Sequence, residues 1–198
     1  AQDAVQWRVE DGGNGHWYQE TGEGWLWDEA RVAAEAAGAH LASITTTEEN
    51  SFVSQVATRQ VFLGGIANSN ACVDENWSWI TGEPFDLYLW HPEGNNYCGY
   101  ELHLAFDDAL ERWNNVTNSS SCCCCRFGAL FEWSADCNGD GIVDYGQILD
   151  GTFADADGNG VPDCCDAGTP CVDGAVQWRV EDGGNGHWYV FEGLSRTW

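Results

Sequence analysis

Gly38-Ala-His-Leu-Ala-Ser-Ile-Thr-Thr-Thr-Glu-Glu-Asn50 carries three successive instructions to the backbone. Gly38 stops a helix, since glycine tolerates the left-handed conformation that closes a last turn. Leu41-Ala-Ser-Ile44 is a short extended link. Thr46, with Glu49 three residues on, forms a capping box that opens a second helix to about Ala57. Upstream, the helix that Gly38 ends covers residues 27–37, with Ala30, Ala33, Ala34 and Ala37 on one stripe. Downstream, Phe52, Val53 and Val56 make the buried stripe of the second helix. Val61-Phe-Leu-Gly-Gly65 follows as a buried strand ending at a glycine turn.

Further out, residues 66–99 read mostly as loop, interrupted by the alternating Trp77-Ser-Trp-Ile80. A loop of that length inside a compact domain is usually functional. Residues 101–106, 110–113 and 126–133 read as three closing strands, after which the composition turns abruptly to Asp, Asn and Gly. At the other end, residues 4–18 return unchanged as 175–189, an offset of 171. Such a match sets a module length. The expected organisation is a first domain over 1–134, an acidic linker over 135–171, and the start of a second module copy over 172–198.

The 198 residues carry a net charge of -25, from seven Arg, no Lys and 32 acids. Such a surface repels nucleic acid and anionic membranes and attracts divalent cations. No apolar run approaches the ~18 residues of a membrane helix. Ten Cys point to disulfides and so to an extracellular, oxidising compartment. Ala1-Gln2-Asp3 fits a terminus left by signal cleavage. His16, His40, His91, His103 and His187 read as structural, and no nucleophile–base pair, phosphate loop or HExxH motif appears, so the expectation is a non-enzyme.

Residues 14–134 resemble a C-type lectin-like domain. The matching stretches are His16-Trp-Tyr18, Trp27-x-x-Ala30, Gly38-Ala-His-Leu-Ala-Ser-Ile44 with Glu48-Glu-Asn50, Phe62-Leu-Gly64, Trp79-Ile-Thr-Gly82, Trp113-Asn-Asn115 and Phe131-Glu-Trp133. The resemblance implies an α+β fold with two helices, antiparallel sheets and a long loop region. It also implies that the opening strand pairs with the closing strand. The family's sugar site is a calcium ion held by a Glu-Pro-Asn type tripeptide, a following Glu and a Trp-Asn-Asp motif. The counterparts are Glu93, Asn95, Glu101, Asn114 and Asn115. Calcium wants several oxygens of this kind. Two departures weaken the match, since the shaping proline is Gly94 and the final Asp is Asn115. Glu83-Pro84-Phe85 is a less well placed candidate.

The family's disulfide between the first helix and the last strand has no counterpart, so an apolar contact is expected in its place. Cys72 and Cys98 bracket the long loop and could staple it. The run at Cys122, Cys123, Cys124 and Cys125 lacks the spacing of zinc motifs. Neighbouring cysteines cannot easily bond each other, so a thiolate metal site and disulfides to Cys137 and the tail both stay open, and no physical account selects one.

Asp136, Asn138, Asp140 and Asp144 stand at positions 1, 3, 5 and 9 of an EF-hand-like loop with Gly141 at 6, and Gln147 where the closing acid belongs. Asp155, Asp157, Asn159 and Asp163 repeat the pattern, with Asp166 at position 12. The two stretches resemble thrombospondin type 3 repeats more than a full EF-hand. A dockerin is the related alternative, disfavoured by the short helix room between the loops. Both imply Ca2+, and the cysteines at 137, 164, 165 and 171 could lock the segment covalently.

Two roles follow. One is an adhesion module taking a glycan or protein ligand through the loop region. The other is a polymer subunit that donates the repeated strand at 175–190 to a neighbour. Asn76, Asn115 and Asn118 each begin a glycosylation sequon.

Overall fold

The computed structural model describes residues 3–68, 76–92, 100–119 and 126–171, with the backbone alone at Glu23, 176–177 and 188–189. The chain divides into two compact units, Ala1–Ser134 and Ala135–Trp198.

The first unit is α+β. Its strands are β1 (Val5–Gln6), β2 (Trp17–Trp25), β3 (His40–Leu41), β4 (Val61–Ala67), β5 (Trp77–Trp79), β6 (His103–Asp107), β7 (Arg112–Val116) and β8 (Phe127–Trp133). Two helices intervene, α1 (Trp27–Ala36) and α2 (Thr47–Val56). The sheet runs β1-β2-β8-β4-β6-β7, with β3 also on β8 and β5 also on β4. The opening strand does pair with the closing one, from Trp17 opposite Trp133 to Thr21 opposite Ala129. Among the described strands only β4 and β8 pair in parallel, and an isolated bridge sets Trp90 parallel to Trp113.

The local signals act as their chemistry predicts. Gly38 takes φ +67° after α1. Thr46 caps α2 by accepting from Glu49 N at 3.1 Å. Glu49 does not return the bond to Thr46. Its carboxylate accepts from Thr45 N and from the Tyr18 hydroxyl, which draws it into the interior. Val53 and Val56 are buried on α2, while Phe52 is half-buried and stacks on Trp7 with ring centroids 5.6 Å apart. Of the stripe on α1, Ala30 and Ala34 are fully buried.

A polar contact that the sequence did not announce joins α1 to the last strand. Trp133 Nε1 donates to Ala37 O at 2.8 Å, fastening the helix end to β8. The main core gathers Tyr18, Ile44, Val53, Leu63, Leu104 and Trp113. Gly65 is forced to be glycine by packing, since a Cβ there would lie 2.7 Å from Leu104 Cδ2.

Among its described residues the second unit holds two short helices, α3 (Asp144–Leu149) and α4 (Asp163–Asp166), each following an acidic loop. Disulfides join Cys137 to Cys165 and Cys164 to Cys171. Cys137 is therefore not the partner expected for the run at 122–125, which itself lies outside the described residues, as do Cys72 and Cys98. Of the repeated stretch, β9 (Val176–Gln177) and β10 (Trp188–Tyr189) are described. They pair Val176 with Tyr189 and Gln177 with Trp188. This is the register of the first copy, Val5 with Tyr18 and Gln6 with Trp17. Among the described residues no helix is long and apolar enough to cross a membrane.

Candidate functional site

Of the five residues expected around a calcium ion, two lie on β7 of the β6–β7 hairpin and a third just before β6. Asn114 stands opposite Ala105 and Asn115 opposite Leu104, while Glu101 precedes β6 by two residues. Glu93 and Asn95 lie outside the described residues. The hairpin is anchored by Trp113, wholly buried, whose Nε1 donates to Asn50 Oδ1 at 2.9 Å. Its backbone is held as well: His91 N donates to Trp113 O and Trp113 N to Leu89 O, both at 2.7 Å. Thus the end of the described loop is tied to the strand that carries Asn114 and Asn115.

Asn115 is 0% exposed. Its Nδ2 donates weakly to Glu101 O at 3.5 Å, and its Oδ1 is buried with no hydrogen-bond partner. Buried acceptors are nearly always satisfied, so this oxygen suits a cation. Burial also raises the Glu101 carboxyl above its usual range, as it does wherever a carboxylate loses water without gaining a donor. Asn114 is half-buried on the same strand, and Glu101 lies two residues before β6. The less well placed candidate, Glu83-Pro84-Phe85, makes contacts of its own. Glu83 accepts from Thr81 Oγ1, and Phe85 packs among Trp79, Trp113 and Tyr88.

A second polar group lies in the core at the start of β2. Tyr18 OH donates to Glu49 Oε1 at 2.6 Å and lies 3.3 Å from Glu132 Oε1, and Asn14 Nδ2 reaches both Tyr18 and Glu49. Glu132 Oε2 accepts from Ser43 N. Burial lifts the Glu49 pKa, partly countered by the bonds from Tyr18 and Thr45, and the charge of Glu132 adds to the rise. Burial likewise pushes the Tyr18 phenol far up, so it stays a donor. By sequence Glu49 reads as a cap within a matched stretch, because partners 31 and 35 positions away leave no local trace.

In the second unit the two acidic loops superimpose in their bonding, at an offset of 19 residues. Asp136 accepts from the amides of Gly139, Asp140 and Gly141, and Asp155 from those of Gly158, Asn159 and Gly160. Asp144 accepts from Cys137 N and Asp163 from Ala156 N, each at 2.9 Å. Gly141 and Gly160 both adopt positive φ at position 6. Positions 5 and 12 meet in each loop: Gln147 Nε2 donates to Asp140 Oδ2, and Asn159 Nδ2 to Asp166 Oδ2, both at 2.8 Å. In the second loop Asp155, Asp157 and Asp163 each place a carboxylate oxygen within 4.8 Å of the others. In the first, burial raises the Asp144 pKa against the Cys137 bond, with Asp136 and Asp140 adding to the rise.

A family profile described as Lectin C-type domain matches residues 24–127. The chain is 34% identical over 73 residues to C-type lectin domain family 4 member F of Rattus norvegicus, which covers 37% of the chain and 13% of that protein. It is 37% identical over 92 residues to the Type-2 ice-structuring protein of Brachyopsis segaliensis, covering 46% of the chain and 52% of that protein. The chain thus spans about half or less of these relatives' lengths. Among solved structures, the C-type lectin domain of murine dendritic cell inhibitory receptor 2, in complex with N-glycan, aligns with TM-score 0.55 at 18% identity, over 68% of this chain and 98% of that one. A calcium-independent type II antifreeze protein aligns with TM-score 0.52 at 23% identity, over 62% and 88%. At these identities the structures establish the fold.

Proposed function

The chain belongs to the Lectin C-type domain family, and from that premise we propose that its first unit is a secreted, non-catalytic adhesion module that takes a glycan or protein ligand through a bound calcium ion. The observation that carries this reading is the buried, unpartnered Oδ1 of Asn115 beside Glu101 in the β6–β7 hairpin. Glu93, Asn95, Glu101, Asn114 and Asn115 are the coordinating set. Calcium supplies the charge that fixes a ligand's hydroxyls or carboxylates, and the side chains share those groups with the ion. The family's members are generally binding modules, and disulfides in the second unit accord with an extracellular setting. The two acidic loops add structural calcium sites at Asp136, Asn138, Asp140, Asp144 and at Asp155, Asp157, Asn159, Asp163, Asp166, stiffening the linker of a tandem array.

Retention of the 198-residue chain on a glycan array, in calcium and in chelator, tests the reading. Retention in calcium alone, lost in Glu101→Ala, supports it. Retention indifferent to both sinks it, and leaves a calcium-independent surface like that of the antifreeze relative to be sought.

A second reading has one observation in its favour. The repeated stretch pairs β9 with β10 in the register of the first copy, so residues 175–190 could occupy the place of 4–18 in another subunit and build a filament. Light scattering on the full chain and on residues 1–171 separates the readings. Equal particle sizes end the filament.

A further inference from the structure

The first acidic loop is short of its closing acid by sequence, yet the residue at that position is held against the loop. Gln147, at position 12, is 6% exposed, and Asp144, at position 9, is 2% exposed. Each keeps one buried oxygen without a partner, Gln147 Oε1 and Asp144 Oδ1. Both heads are fixed at the loop by their other atom: Gln147 Nε2 is bonded to Asp140 Oδ2, and Asp144 Oδ2 to Cys137 N. Two orphaned acceptors beside Asp140 and Asp136 make a site that lacks only positive charge, since native proteins seldom leave such groups unpaired.

We infer that Gln147 is a ligand of the first loop, its amide oxygen closing a calcium site with Asp136, Asn138, Asp140 and Asp144 and making this the weaker, more readily emptied member of a pair. This rests on the calcium reading of the acidic loops given above. The second loop shows why position 12 belongs to the site. Its position-5 to position-12 contact has the same 2.8 Å length with acid and amide exchanged, Asn159 to Asp166 against Gln147 to Asp140. Each loop therefore keeps one carboxylate and one amide at that contact. Position 3 differs: Asn138 in the first loop, Asp157 in the second. The first set carries three acids and the second four. Calcium affinity follows the charge of the ligand set, so the second loop fills first. Unlike a carboxylate, the amide needs no deprotonation to coordinate.

Calcium titration calorimetry on the oxidised 198-residue chain tests this, with Asp136→Ala and Asp155→Ala assigning the steps. Asp136→Ala should remove a weaker step and Asp155→Ala a tighter one. Gln147→Leu should weaken the Asp136-dependent step by about tenfold or more while leaving the Asp155-dependent step within about twofold. Gln147→Glu should strengthen the former by about tenfold and bring the two steps together. An Asp136-dependent step unmoved by Gln147→Leu, or one tighter than its neighbour, overturns the inference. Should Gln147→Leu fail to fold, Gln147→Glu decides alone, and no gain in affinity overturns it. If neither Asp136→Ala nor Asp155→Ala removes a step, the calcium reading of the loops falls, and Gln147 as a ligand with it.

Discussion

His16 Nδ1 stands 2.6 Å from Glu132 Oε1, joining the entry of β2 to the last strand across 116 residues of chain. Burial alone would lower the His16 pKa, but the hydrogen bond and charge of Glu132, helped by Glu49 and Glu83, carry it above its ordinary 6.5. A raised pKa means that the folded state holds the proton more tightly. The stabilisation is then full below about pH 6.5 and is lost as pH rises through the folded value. Thermal unfolding followed by circular dichroism from pH 5.5 to 8.5 should show Tm falling across this window in the wild type. His16→Gln should lack that part of the slope. Parallel curves for the two proteins would rule the pair out as a source of pH dependence.

Trp113→Phe keeps most of the apolar volume but removes the indole N–H, leaving Asn50 Oδ1 without its 2.9 Å partner inside the core. A buried acceptor so abandoned costs about 1–3 kcal/mol. Urea denaturation of the variant should show a loss of that size, with an unchanged slope against denaturant.

Gly64→Ala would place a Cβ 2.5 Å from Leu41 O, a backbone atom that cannot step aside. Overpacking of this kind costs about 1–3 kcal/mol. The same measurement should find Gly22→Ala far milder, because a Cβ at Gly22 meets nothing within 4 Å.

Asn115 begins a sequon, yet its side chain is fully buried in the folded hairpin. Mass spectrometry of the secreted protein should find Asn115 unmodified. Restoring the family's acid by Asn115→Asp should raise calcium affinity by about tenfold, through one added ligand charge. A glycan on Asn115 would remove it from any coordinating set.

The two helices of the first unit and their ends were legible because their causes are local, whereas α3 and α4 were not expected. Gly38 and Thr46 act within four residues of themselves, and the alternating and apolar runs placed the strands around them. Two kinds of feature were not legible. Glu49 reads as a cap but spends its carboxylate on Tyr18 and Thr45, and only the packing of α2 against β2 shows it. Trp133 fastens β8 to the end of α1 through Ala37 O, a bond that no spacing rule encodes. At the candidate sites, the loop template found the acids by position and treated Gln147 as a defect. Its standing changes only once the amide is seen against Asp140.

The cross-links of the second unit bear on how the protein can be made. Among its described residues only Val143 and Phe153 are large apolar side chains in the buried core, too little to offset the conformational freedom lost on ordering. The Cys137–Cys165 bond closes a span of 28 residues, and Cys164–Cys171 a span of 7. Tying the unfolded chain across 28 residues is worth on the order of 3–4 kcal/mol in the chain-entropy account. Material produced in a reducing cytosol should therefore carry a folded first unit and a slack, protease-sensitive second one. Material passed through an oxidising secretory route should resist cleavage in both.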